Sequence, residues 1–203
     1  IGFTIAHAGE QAQIGLRASD SVQLIEVHAI AVSKDGQFLL TGSPNGIVRR
    51  WNLESGIMLN STKAYNGEEV ASIDISPDGK TFLTGAGTTA KLWDIATDKL
   101  IRTFNTQDEG CGAYIVRFSP DGRYAALLGT IIRIIEVDTG KEVQRISLKR
   151  RVGEFRVSTL FVHFFPDGER IAISDDSDGT IHLWDLKARK RIRTIAEMNS
   201  GIY

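Results

Sequence analysis

The chain has 203 residues, of which 42% are hydrophobic and 24% charged, and its formal net charge is −1 at pH 7. This composition is typical of a globular domain and gives no overall attraction to nucleic acid or to a membrane surface. The single cysteine, Cys111, excludes an intrachain disulfide and a cysteine metal cluster, and it fits a reducing compartment. No apolar run reaches the ~18 residues that a membrane-spanning helix needs.

Four of the Asp-Gly pairs in this sequence follow one another at intervals of 43, 43 and 46 residues. Three of the chain's four prolines lie in the turns that these pairs close. Proline presets the first central φ of such a turn, and Asp with Gly supply the rest of its chemistry. A short apolar run precedes and follows each turn, which indicates a β-hairpin. The four turns are Ser33 to Gly36, Ser76 to Gly79, Ser119 to Gly122 and Phe165 to Gly168.

Each hairpin belongs to a unit of four predicted strands. In the first unit they lie at 29–32, at 38–40, in a run ending in Trp51-Asn52, and at 57–59. The second unit has 73–75, 81–83, a run ending in Trp93-Asp94, and 100–104. The third has 114–118, 124–128, a run ending in Ile135-Glu136, and 143–146. The fourth has 160–164, 170–173, a run ending in Trp184-Asp185, and 191–195. No segment has helical periodicity of useful length.

Four short antiparallel strands in every ~40–45 residues, with a Trp-Asp signature, are typical of a β-propeller blade. The sequence resembles the WD-repeat family over roughly residues 24–196, most clearly at Lys91 to Asp94 and at Asp178 to Asp185. The resemblance implies an all-β fold, a β-propeller of four-stranded antiparallel blades, with about four and a half blades in this chain. Its structural signature residues are Trp51, Trp93, Asp94, Asp178, Trp184 and Asp185, and we expect the three tryptophans at blade interfaces.

We expect residues 1–203 to form a single propeller region. Residues 1–23 would supply the last two strands of a preceding blade. Complete blades would cover 24–66, 67–109, 110–153 and 154–203, the last of them with a tail. Rings of this family most often hold seven blades, so we expect an arc of a larger ring, completed by residues outside this sequence or by another chain. Without that completion the arc would expose two apolar sheet faces.

The sequence departs from the family in its polar network. A blade of the family usually carries a Gly-His pair, whose His bonds a Ser or Thr, a turn Asp and the Trp. This chain has no Gly-His pair, and Ile135 replaces Trp in the third unit. The turn Asp is present as Asp178, and Asn45 is a candidate substitute for it in the first unit. We therefore expect blades that depend on apolar packing more than on this network.

Two segments match motifs of other chemistry, and we interpret both as hairpins. Residues 85–90 fit a dinucleotide-binding glycine pattern, but a strand follows them where that pattern needs a helix. Residues 174–179 resemble a calcium loop with Asp185 at its twelfth position, but the first ligand is Ser and the flanks are strands. The sequence has no nucleophile elbow and no His-Glu-x-x-His. We predict no catalytic residue, no cofactor and no metal.

The most unusual connection between units, at 149–156, combines four basic residues with an aromatic one. Arginine and aromatic side chains are enriched in interface hot spots, and arginine clusters suit acidic or phosphorylated motifs. The alternative is a solvated loop that carries charge for solubility. A second basic cluster, at 187–191, lies on a hairpin at the opposite face. Our candidate partner-binding residues are Lys149, Arg150, Arg151, Phe155 and Arg156.

Three functions fit this sequence. The first is a non-catalytic, cytoplasmic scaffold that binds other proteins as part of a larger chain or assembly, away from the membrane. The second is a binder of nucleic acid or of a phosphorylated or acidic ligand through the loop at 149–156, and the near-neutral net charge disfavours nucleic acid. The third is a sensor or regulatory domain of an enzyme whose catalytic part is not in this sequence. Family resemblance favours the first without naming a partner.

Overall fold

The structure, a computed structural model, describes residues 26–106, 114–129, 131–147, 161–175 and 180–197. Sixteen strands within these ranges form four antiparallel sheets, each of four strands in chain order, and the same ranges contain no helix. The predicted all-β architecture of four-stranded antiparallel blades is thus confirmed. The half blade predicted at residues 1–23 lies outside the described residues, and the division of the whole chain into blades stays a prediction.

We number the four sheets as blades 1 to 4. Blade 1 contains β1 (Ala29–Val32), β2 (Phe38–Gly42), β3 (Ile47–Asn52) and β4 (Met58–Lys63). Blade 2 contains β5 (Ser72–Ile75), β6 (Thr81–Ala86), β7 (Thr89–Asp94) and β8 (Leu100–Asn105). Blade 3 contains β9 (Ile115–Phe118), β10 (Tyr124–Leu128), β11 (Ile131–Glu136) and β12 (Glu142–Ser147). Blade 4 contains β13 (Phe161–Phe164), β14 (Arg170–Asp175), β15 (Thr180–Asp185) and β16 (Lys190–Glu197).

The Asp-Gly turns join the first strand of each blade to the second. In blade 1 the Ser33 hydroxyl donates to Asp35 Oδ1 at 2.6 Å and accepts the Phe38 amide at 3.0 Å. Blades 2 and 3 repeat both bonds at the same turn positions. The hydrogen bond from Ser33 lowers the pKa of the Asp35 carboxyl. In blade 4 a Phe replaces the Ser, and Asp167 instead pairs with Arg170 at 2.6 Å.

The core consists of three apolar layers, one between each pair of neighbouring blades. Successive side chains of a strand point to opposite faces, so each blade packs one set against the preceding blade and the other set against the next. The layer between blades 1 and 2 includes Leu40, Val48, Phe82 and Trp93. The next includes Leu83, Leu92, Leu127 and Ile135. The third includes Ile132, Ile134, Ile171 and Ile173. Stacking therefore buries faces that a single sheet would leave exposed.

Hydrogen bonds between polar side chains join blades 1 and 2 near their outer strands. Asp98, in the turn after β7, has a φ of 55°, in the region that favours glycine. The equivalent residue in blades 1 and 3 is glycine, Gly56 and Gly140. The Asp98 carboxylate accepts hydrogen bonds from Arg50, at 3.2 Å, and from the Asn60 amide of blade 1. These contacts hold the turn of one blade to the face of the preceding one.

Candidate interaction surface

The blades present loops at their two ends. We call one of these ends the upper face. It carries both the connections between blades and the turns between the second and third strands. Loops on a rigid scaffold are where binding residues concentrate. The candidate partner-binding residues belong to a connection of this kind between blades 3 and 4. That connection lies outside the described residues, and so do all five of them: Lys149, Arg150, Arg151, Phe155 and Arg156.

The connection between blades 1 and 2, residues 64–71, is described in full. Its Tyr65 is buried, and the phenol hydroxyl lies 2.9 Å from Thr84 Oγ1 and donates to the Thr84 carbonyl at 3.0 Å. The Lys91 ammonium lies 4.3 Å from the centre of the Tyr65 ring and donates to the Ala64 carbonyl at 2.6 Å. Burial raises the pKa of the Tyr65 phenol. These bonds anchor the connection in the seam between two blades.

The tryptophan of blade 2 is part of the same network. Trp93 stacks on Phe82, with ring centroids 6.0 Å apart, and donates from Nε1 to Thr84 Oγ1 at 3.0 Å. A chain of hydrogen bonds therefore runs from Tyr65 through Thr84 to Trp93, with Tyr65 in the place that the family gives to His. A Gly-His pattern does not predict this role of Tyr65. The sequence feature that does predict it is a side chain that can donate a hydrogen bond at the start of the connection between blades.

The other blades keep this network to different extents. In blade 1, Trp51 donates to Thr41 at 2.9 Å. In blade 3 both partners are apolar, because Ile135 replaces the Trp and Leu127 the Thr. Blade 4 keeps Trp184 but has an Ile at the Thr position, and in the described part of the chain the Trp184 indole nitrogen is buried without a partner. The tryptophan–threonine bond is thus present in blades 1 and 2 and absent from the described parts of blades 3 and 4, while apolar layers lie between all four blades.

The aspartates of the Trp-Asp pairs close turns. Asp94 Oδ1 accepts hydrogen bonds from the Thr97 amide at 2.8 Å and its hydroxyl at 2.7 Å, and the hydroxyl bond lowers the pKa of Asp94. Asp185 Oδ1 accepts the Ala188 amide at 2.6 Å. The third signature aspartate, Asp178, lies outside the described residues. Asn45, proposed as its substitute in the first unit, accepts a hydrogen bond from Ser43 at 2.6 Å.

Exposed charges differ between the two ends of the blades. On the upper face between blades 1 and 2, Glu68 and Glu69 are exposed, and Glu69 pairs with His28 at 2.6 Å. At the opposite end, the turn from β15 to β16 exposes the second basic cluster, Lys187, Arg189, Lys190 and Arg191. The described upper face next to Tyr65 thus carries the exposed Glu68 and Glu69 together with the Lys91 ammonium, whereas the predicted basic loop belongs to a connection farther along the chain.

The first strands of blades 2 and 3 meet along a polar seam. Asp74 on β5 accepts the Phe118 amide of β9 at 2.6 Å, and Ser72 accepts the Val116 amide at 3.2 Å. Burial raises the pKa of the Asp74 carboxyl, and this outweighs the opposing effects of the Phe118 hydrogen bond and the Arg117 charge. Side chains of blade 2 thus satisfy two edge amides of blade 3.

The structure also bears on the motifs of other chemistry. Residues 85–90 form the end of the hairpin between β6 and β7, with Gly87 in its turn at a φ of 47°, so the hairpin interpretation is confirmed. Most of the loop at 174–179 lies outside the described residues. Within the described ranges, no group of His, Cys, Asp or Glu side chains is placed to hold a metal ion. No helix long and apolar enough to cross a membrane occurs in those ranges either.

Comparison with known families agrees with this architecture. The model of the WD domain, G-beta repeat, matches residues 20–52, 58–94 and 152–185, just over half of the chain. The three matched segments end in or beside Trp51, Trp93 and Trp184. The unmatched stretch contains blade 3, where both members of the tryptophan–threonine pair are apolar.

Several curated proteins are similar in sequence. A p21-activated protein kinase-interacting protein 1-like protein from Gallus gallus is 29% identical over 160 residues, 77% of this chain and 42% of that protein. The U3 small nucleolar RNA-associated protein 21 homolog of Schizosaccharomyces pombe is 29% identical over 173 residues, 84% of this chain and 18% of its own length. Eukaryotic translation initiation factor 3 subunit I of Phaeosphaeria nodorum is 27% identical over 177 residues, 73% and 52% of the two chains.

The chain thus spans about half or less of the length of these relatives. Its repeated four-stranded sheets, its Trp-Asp pairs and the matches to the family model agree with one another. The chain belongs to the WD-repeat family.

Proposed function

We propose that this chain is a non-catalytic scaffold for protein–protein interaction and acts within a larger chain or assembly. The observation that carries the proposal is a stack of blades in which several of the described polar side chains serve turns and seams, while loops project at both ends. Thr84, Asp94 and Asp74 are each engaged in such structural bonds. Two relatives carry names of interacting or subunit proteins, which supports the same role by analogy. We further propose an intracellular location.

We also propose that another blade covers the open face of blade 1. Ile30 and Val32 on β1 are 65% and 55% exposed. Ile73 and Val116, at the position of Ile30 in blades 2 and 3, are 3% and 0% exposed because a preceding blade packs on them. An apolar face of this kind is a site of association in soluble proteins. The covering strands would come from residues 1–23 together with a further part of a longer chain, or from a second chain.

Native affinity purification tests the scaffold proposal. One variant replaces Lys149, Arg150, Arg151, Phe155 and Arg156 by alanine, and the matched control replaces the basic cluster Lys187, Arg189, Lys190 and Arg191 on the opposite face. We expect the unaltered chain and the control to retain a stoichiometric protein partner that the loop variant loses, since interface energy concentrates in arginine and aromatic anchors. Eluates are quantified by mass spectrometry at two salt concentrations.

Two results would contradict a protein interface at the loop 149–156. Equal recovery of every partner by both variants would remove the loop at 149–156 from the interface. A nucleic acid that replaces protein as the retained species, with recovery falling steeply as salt rises, would favour the nucleic-acid alternative, because phosphate binding releases counterions.

A further inference from the structure

The seam between blades 3 and 4 differs chemically from the seam between blades 2 and 3. In the latter, Ser72 and Asp74 on β5 accept the outward amides of β9. The residues at those two positions on β9 are Ile115 and Arg117. Neither side chain carries a hydrogen-bond acceptor. The bonds that hold β5 to β9 therefore have no counterpart between β9 and β13.

The amides of Val162 and Phe164 on β13 are the counterparts of the two amides bound in the other seam. Amide direction alternates along an antiparallel edge strand, and Phe165 donates inward, to the Arg170 carbonyl of β14, at 2.8 Å. Val162 and Phe164 consequently direct their N–H groups away from β14. No side chain of β9 is able to accept them, and the described residues supply no other acceptor, so these two backbone donors are open to a ligand at this edge.

A cleft of about 420 Å³ lies between the two strands, within the ~300–1,000 Å³ of typical ligand sites. Arg117, Val162 and Phe164 line it, together with Phe118 and the prolines Pro120 and Pro166 of the two Asp-Gly turns. Arg117 is exposed and donates from one amino group to Ser72 at 3.3 Å and to the Val116 carbonyl at 2.8 Å. The remaining N–H groups of Arg117 are further donors, in addition to the two amides at the edge of β13.

We propose that this cleft binds a carboxylate side chain of an acidic, extended peptide segment of a partner protein. The carboxylate accepts from the β13 edge amides, as Asp74 accepts from β9 in the neighbouring seam, and it also accepts from the Arg117 guanidinium. Charge-assisted hydrogen bonds of this kind are stronger than neutral ones. Phe118 and the two prolines provide apolar walls for the flanking residues. The inference rests on the scaffold function and specifies the chemistry of one partner segment.

Two blocked pentapeptides test the assignment, one with a central glutamate between valines and the other with glutamine in its place. Titration into the full chain is followed by calorimetry and by the ¹⁵N shifts of Val162 and Phe164. We expect the glutamate peptide to bind and to shift both amides. We expect at least tenfold weaker binding of the glutamine peptide, and an equal loss for the glutamate peptide with Arg117→Gln, because charge-assisted hydrogen bonds are stronger than neutral ones. The matched control Arg123→Gln, on the exposed turn beside the cleft, leaves affinity unchanged.

The assignment is overturned if the two peptides bind alike, if Arg117→Gln has no effect, or if shifts occur only elsewhere. It is also overturned if a phosphoserine peptide binds and the glutamate peptide does not. If neither peptide binds, the carboxylate site is overturned but the scaffold function is not. Partner capture through the loop at 149–156 is measured independently of this cleft.

Discussion

Trp93→Ala is expected to lower the free energy of unfolding by about 3–5 kcal/mol, the usual cost of truncating a large buried aromatic side chain. Trp93 is 5% exposed, stacks on Phe82 and bonds Thr84, so its removal opens a cavity between blades 1 and 2. It also leaves the Thr84 hydroxyl without one partner. Urea unfolding followed by far-ultraviolet circular dichroism measures the effect without depending on tryptophan fluorescence.

Trp51→Ala is the matched control. Trp51 occupies the same position in blade 1 and also bonds a threonine, but it is only half-buried, on the face that no described blade covers. We expect its replacement to cost clearly less in the 203-residue chain, because truncation energy follows burial. Equal losses for the two variants, or a loss below about 1 kcal/mol for Trp93→Ala, would contradict the stacking of blade 2 on blade 1.

Gly46→Ala should be the second large effect, at about 2–4 kcal/mol. Gly46 has a φ of 80°, and an added Cβ would lie 2.5 Å from the Tyr65 carbonyl oxygen. That neighbour is backbone, so the connection between blades 1 and 2 must move to admit a methyl group. The Gly46 carbonyl accepts the amides of Ala64 and Tyr65 at 2.9 and 3.0 Å, and such a movement weakens both bonds.

Gly56→Ala separates the two causes of the loss expected for Gly46→Ala, which are the positive φ and the contact with neighbouring backbone. Gly56 has a similar φ of 68°, but nothing lies within 4 Å of an added Cβ. Its replacement therefore measures the backbone cost alone, about 1–2 kcal/mol. Thermal and urea unfolding of both variants should show the larger loss for Gly46→Ala. The packing described around Tyr65 would be wrong if the two variants lost the same stability.

Much of the fold is predictable because it is local. The Ser-x-Asp-Gly turns carry their own hydrogen bonds, so they fix where the first strand ends and the second begins. The predicted strands at 29–32 and 124–128 agree with β1 and β10 residue for residue. Alternating apolar residues then determine which side chains face each neighbouring blade.

Contacts between blades were harder to predict. Tyr65 takes the place of the family's His in the network. Only the fold shows that the Tyr65 side chain contacts Thr84. Asp98 stands at a turn position that takes a positive φ in every blade, and only the fold shows that Arg50 and Asn60 of another blade bind its carboxylate. The donor-rich cleft follows from comparing Asp74 with Arg117 across two seams, which requires their register. The loop at 149–156 stays a prediction.

The most direct test of whether further strands cover the open face of blade 1 is the native mass of the 203-residue chain, measured by light scattering beside two variants. Ile30→Glu places a charge on the open face of blade 1, and Ile101→Glu places one on an exposed position of the outer strand β8 as a control. If another blade covers that face, the unaltered chain and the control should exceed the 22.3 kDa of one copy, whereas Ile30→Glu should reduce the association. A compact species of 22.3 kDa in all three samples would contradict the proposal that this face is completed by further strands.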